Sequence, residues 1–79
     1  MRLIVRIAPK KSILDPQGEA ISNSLKSLGF DQINSVRQGK IIEIDLNESD
    51  ENRGMEIGKE MCNTLLVNKV IEDFSVTIE

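Results

Sequence analysis

An α+β domain of ferredoxin-like βαββαβ topology, an antiparallel sheet with two helices on one face, is predicted by three observations on this 79-residue chain. Apolar residues alternate with period two near both ends and again in the middle. Two stretches between these runs carry apolar residues at helical spacing, and a Gln-Gly pair interrupts the middle run. In one small domain this order folds most simply as a split βαβ unit, because right-handed crossovers bring both helices to the same side of the sheet. No repeat, linker or low-complexity segment divides the chain, so residues 1–79 are read as a single domain.

The first run, "RLIVRIA" (2–8), sets Leu3, Val5 and Ile7 on one face and Arg2, Ile4 and Arg6 on the other, the pattern of a strand with one buried face. After the loop "APKKS", Asp15 caps and Pro16 opens a helix over 16–28 in which Ala20, Ile21, Leu25 and Leu28 recur before Gly29 stops it. "INSVRQGKIIEIDL" (33–46) reads as a hairpin turning near Gln38 and Gly39, with Ile42, Ile44 and Leu46 facing one way beyond the turn. "NESDENRGMEIGKEMCNTLLVN" (47–68) predicts a second helix, capped by Ser49 or Asp50, with Met55, Gly58, Met61, Cys62, Leu65 and Leu66 along one face. Asn68 ends it in a left-handed conformation. "VIEDFSVTIE" (70–79) is the last strand, with Phe74, Val76 and Ile78 turned toward the helices and Ile71, Asp73, Ser75 and Thr77 turned away.

Composition excludes several chemistries. With no His and one Cys, the chain lacks a Cys-His pair, a Ser-His-Asp triad and an imidazole metal ligand, and it contains no Gly-rich phosphate loop. Cys62 is expected to be a small core residue. The absence of a charged-then-apolar leader and of an apolar run near the ~20 residues that span a bilayer predicts a soluble, reducing, cytoplasmic setting with no membrane partner. Residues 1–40 hold seven Lys/Arg against three acids, whereas residues 41–79 hold three against ten. That split favours self-association or internal pairing; nucleic-acid binding would call for a basic stripe with stacking aromatics, and neither is present.

Two surfaces stand out as candidates. The sheet face away from the helices carries Arg2, Ile4, Arg6, Ile41, Glu43 and Ile71, which suits either a solvated face with ordinary cross-strand pairs or a dimer surface. The corner Asp15, Pro16 and Gly18 is a good helix start by physics alone, to which docking of a partner can be added. Gly18 costs roughly 1 kcal/mol against Ala inside a helix, which marks a close approach of another backbone. Arg37, Gly39 and Lys40 frame the predicted turn, as plain solvated charges or as subunit contacts. Lys10 and Lys11 read as solvated loop lysines or as an attraction for phosphate.

The strings "LDPQG" (14–18), "LGF" (28–30), "VRQGK" (36–40), "MCNTLLVN" (61–68) and "VIEDF" (70–74), in this order and spacing, closely resemble the PurS family, small subunits of phosphoribosylformylglycinamidine (FGAM) synthase in purine biosynthesis. The resemblance covers essentially the whole chain. It implies a non-catalytic adaptor, a dimer or tetramer of itself, that joins a PurQ-type glutaminase subunit to a PurL-type synthetase subunit. Ammonia from glutamine then converts formylglycinamide ribonucleotide (FGAR) to FGAM. It also implies that ATP and Mg are used by the synthetase subunit and that this chain holds no cofactor. The alternative from the fold alone is a small-molecule-sensing regulatory domain that binds an amino acid or nucleotide at a dimer interface.

Overall fold

The computed structural model describes all residues from Met1 to Glu79. Strand β1 (Arg2–Pro9) is central, flanked by β2 (Lys40–Asp45) and β3 (Glu72–Ile78), and both pairings are antiparallel. The register sets Leu3 beside Ile44 and Ile78, Val5 beside Ile42 and Val76, and Ile7 beside Phe74. The three period-two sets therefore share one face, as their alternation requires. Leu3, Val5 and Ile7 are almost wholly excluded from solvent and form the core with Cys62, Val67 and Val76.

Helix α2 (Glu51–Met61) covers that face, packing on β1 and β3. Asp50 caps it, its side chain accepting from the Asn52 and Arg53 N–H groups. Gly54 and Gly58, one turn apart, are its buried residues; a Cβ on Gly58 would lie 3.0 Å from both Leu3 Cδ1 and Val76 Cγ1, so the helix axis sits low on the sheet. The final turn, Cys62–Leu66, widens into a π-helix closed by the Val67 N–H on the Cys62 carbonyl at 3.1 Å. This wider turn breaks the 3.6-residue phase. Leu65, expected inside, is 83% exposed, and Val67 takes the buried place.

The ferredoxin-like α+β class stands, with two departures in its details. The predicted hairpin is open. Only its second half forms a strand; residues 32–37 run without a single backbone hydrogen bond, and the outer edge of β2 is free. A two-residue hairpin turn needs positive φ, and the chain's sole positive φ is at Gly29, so it runs through Gln38–Gly39 without turning back. Helix α1 (Pro16–Ser27) likewise does not settle on the sheet beside α2. Leu28 and Phe30 are more than half exposed, Ile21 is 39% exposed, and the molecule measures 48 × 25 × 14 Å. Its radius of gyration, 15.9 Å, exceeds the roughly 12 Å of a compact chain this long. Residues 16–38 thus form an arm beside a three-stranded body.

Two local expectations change as well. No residue other than glycine has positive φ, so Asn68 is not left-handed. It closes a turn instead, its Oδ1 accepting from the Val70 N–H and its carbonyl from the Ile71 and Glu72 N–H groups. That turn ends at Ile71, which therefore precedes β3 rather than lying on its outer face. No helix is long and apolar enough to cross a membrane.

Candidate functional site

The arm is fastened where it leaves the body. Asp15 Oδ1 accepts from the Gly18 N–H at 3.0 Å, which is the helix cap read from the sequence, and Oδ2 accepts from the Gln38 N–H at 2.7 Å. Gln38 Nε2 donates to Gln17 Oε1 at 2.7 Å. One carboxylate thus ties the start of α1 to the end of the open segment. These two N–H groups, with the Arg37 guanidinium nearby, hold the Asp15 pKa below its ordinary value of 3.8. A depressed acid stabilises the fold above its unfolded pKa and loses that contribution as pH falls through the folded value. Amide signals of Gly18 and Gln38 are therefore expected to hold steady through the ordinary carboxylate range and to shift together only as pH falls below the ordinary value of 3.8; independent movement of the two in an NMR titration would show that Asp15 does not link them.

Arg37, read from the sequence as a turn charge or a partner contact, is turned inward. Its guanidinium donates to the carbonyls of Lys10 at 2.6 Å, Ile13 at 3.0 Å and Pro9 at 3.4 Å, gathering the loop that leads into α1. The planar fork suits three convergent acceptors in a way an ammonium cannot copy. Gly18 has the close approach its cost suggested, since a Cβ there would run into the Val36 carbonyl and come within 2.5 Å of Asp15 Oδ2. Gly39 is equally tight against the Ile7 carbonyl. Lys40 lies 3.9 Å from Glu72, and with Asp15, Gln17, Gln38 and Gly39 these residues line a polar concavity of about 240 Å³. The structure therefore brings Asp15, Gly18, Arg37, Gly39 and Lys40 together around one hinge, with Pro16 at the first position of α1.

On the open face of the sheet, Arg2, Ile4, Arg6, Ile41 and Glu43 lie side by side. Arg2 pairs with Glu43 at 3.1 Å and Glu79 at 3.5 Å, and Arg6 donates to Thr77 Oγ1 at 3.2 Å. Ile4 is 9% exposed among them, while Ile41 is 61% exposed. Exposed pairs of this kind are worth about 0–1 kcal/mol each, and they leave little unpaired charge for a partner to recognise. Lys10 shares its surroundings with Glu72 and Asp73, which disfavour an anion there. Burial pushes the Cys62 thiol pKa up, keeping it protonated and inert.

The surface that sequence reasoning missed is apolar. Between the free edge of β2 and the far side of α2 runs a groove of about 440 Å³ walled by Ile42, Ile44, Ile57, Met61, Leu65 and Leu66. Its signal in the sequence is split between two elements, and Leu65 joins it only through the π-helical turn.

The model of the family described as PurS, phosphoribosylformylglycinamidine (FGAM) synthase, matches residues 2–79. The chain is 40% identical over 75 residues to phosphoribosylformylglycinamidine synthase subunit PurS of Bacillus subtilis, covering 95% of this chain and 88% of that one. Its structure is similar to that of PurS from Methanocaldococcus jannaschii, described as one of the subunits of formylglycinamide ribonucleotide amidotransferase in the purine biosynthetic pathway. The TM-score is 0.89 at 37% identity, over 99% of this chain and 94% of that one. A chain of the Thermotoga maritima PurLQS structure superposes with a TM-score of 0.87 at 28% identity, over 96% of this chain and 93% of that one. With the family model spanning the chain from its second residue to its last, the protein belongs to the PurS family of FGAM synthase.

Proposed function

We propose that this chain is the non-catalytic adaptor of an FGAM synthase, a self-associating subunit that joins a PurQ-type glutaminase to a PurL-type synthetase. Glutamine supplies ammonia at the first, and the second uses ATP and Mg to convert FGAR to FGAM. This chain holds no cofactor, and the complex works in the cytoplasm. The observation that carries the reading is the likeness of the whole chain to a component of a structure described as PurLQS. Its own chemistry fits: without imidazole and with its one thiol buried, it offers no activated thiol nucleophile and no imidazole base for either half-reaction.

Reconstitution tests it. Glutaminase and synthetase subunits are assayed for FGAM formation with glutamine and with ammonium, in the presence and absence of this chain. Omitting it should lower the glutamine-driven rate by about tenfold or more, the loss of roughly 1.4 kcal/mol or more of coupling, and leave the ammonium-driven rate nearly unchanged. An equal glutamine-driven rate with and without the chain would sink the adaptor role.

A further inference from the structure

We infer that Met1 is a reversible oxidation site, a thioether wedged between the sheet and α2 whose conversion to the sulfoxide by a peroxide drives it from its seat and lowers the stability of the body. The inference stands apart from the adaptor role, because it concerns how the sheet and α2 are held together.

The seat is a match between two repeats. Met1 continues the β1 ladder by one residue, its nitrogen donating to the Leu46 carbonyl at 2.8 Å and its carbonyl accepting from the Leu46 N–H at 2.7 Å. Alternation then sets its side chain on the core face, in line with Leu3, Val5 and Ile7. Gly54 and Gly58 of α2 lie over this row: a Cβ on Gly58 would meet Leu3, and a Cβ on Gly54 would run into Met1 Sδ and come 3.0 Å from its Cε. Two residues of strand advance about 6.8 Å, and four residues of helix about 6.0 Å. The two glycine notches therefore keep step with alternate residues of the strand, and Met1 fills the first as Leu3 fills the second.

The two occupants differ in access. Leu3 is fully buried, whereas Met1 is half-buried at the rim of the core. A thioether packs well in such a place because it is unbranched and polarisable, and at the rim it is also within reach of a small oxidant. A sulfur lone pair attacks one oxygen of hydrogen peroxide and the O–O bond breaks. The proton of the attacked oxygen passes to the departing hydroxide, which leaves as water, and the sulfur is oxidised by two electrons to the sulfoxide. The new oxygen needs a donor, and the Gly54 N–H is already given to the Asp50 carbonyl at 2.8 Å. Burying such a group unpaired is costly, so the side chain swings out and the notch empties. Met61, on the wall of the open groove, can instead turn its oxygen to water.

Peroxide treatment of the full chain tests this, with each methionine followed by peptide mass spectrometry and the melt by circular dichroism. A chain carrying Met55→Leu and Met61→Leu keeps Met1 alone. It should gain one oxygen there and melt about 5 °C or more lower, and methionine sulfoxide reductase should restore the midpoint. The wild-type species oxidised at Met1 alone, separated chromatographically, should show the same loss. Adding Gly54→Ala to the double variant fills the notch beforehand, so the same oxidation should then move the midpoint by less than about 2 °C. The inference is overturned by a Met1 that stays reduced where free methionine is oxidised, by an oxidised Met1 with an unchanged midpoint, or by a Gly54→Ala chain as sensitive as its parent.

Discussion

Leu3→Ala is expected to lower stability by about 2–5 kcal/mol, a large part of the roughly 4–12 kcal/mol available to a chain of this length. Leu3 is fully buried, sits between Ile44 and Ile78 in the sheet, and lies directly beneath Gly58 of α2. Truncation leaves a cavity that collapse cannot fill easily, because α2 already rides close to the strands on its two glycines. At about 4–8 °C per kcal/mol for a domain of this size, the melting midpoint should fall by roughly 10 °C or more. The comparison is Ile41→Ala at a 61% exposed position, expected to change stability by no more than about 0.5 kcal/mol. Thermal melts of the two variants that coincide would contradict this placement of the core.

Gly18→Leu should have the opposite profile, sparing the body and disabling assembly. Its side chain meets the Val36 carbonyl, which is backbone and cannot swing aside, and crowds the Asp15 carboxylate that holds the corner together. The arm must open or twist to admit it. The core residues Leu3, Val5, Ile7, Cys62, Val67 and Val76 all lie outside residues 16–38, so the melt of the body should move little. Pull-down of the glutaminase and synthetase subunits should weaken by about tenfold or more, the scale at which a well-packed contact is lost. Glutamine-driven FGAM formation should fall with it and ammonium-driven formation should persist. A Gly18→Leu chain that binds and supports glutamine-driven turnover normally would reduce the corner to a helix cap.

The parts legible in the sequence are those fixed by neighbours along the chain. Alternation placed Leu3, Val5 and Ile7 opposite Ile42, Ile44 and Val76, and the Asp-Pro pair located the start of α1 to the residue. The open hairpin was not legible, because the contacts that hold it open join Arg37 to carbonyls 24–28 residues earlier and Asp15 to Gln38 across 23 residues. Local turn chemistry at Gln38–Gly39 has no knowledge of them. The inward exposure expected for Leu65 failed for a different reason: one widened turn shifts every later residue of a helix around its axis, and periodicity counted from Met55 cannot register it. The candidate residues around Asp15 and Gly39 lie near one another in the structure, and Arg37 binds the carbonyls of its own chain's loop.

The place of β1 in the sheet has a bearing on how the molecule comes to be made. Its partners lie far downstream, Arg2 beside Asp45 and Leu3 beside Ile78. Translation is vectorial, at roughly 5–20 residues per second, so the strand synthesised first waits several seconds for the one synthesised last. During that interval Leu3, Val5 and Ile7 have no completed ladder, and pairings so distant in sequence are slow to close. Order of synthesis and order of assembly therefore run against each other, and the nascent chain carries Leu3, Val5 and Ile7 unshielded until β3 has left the ribosome.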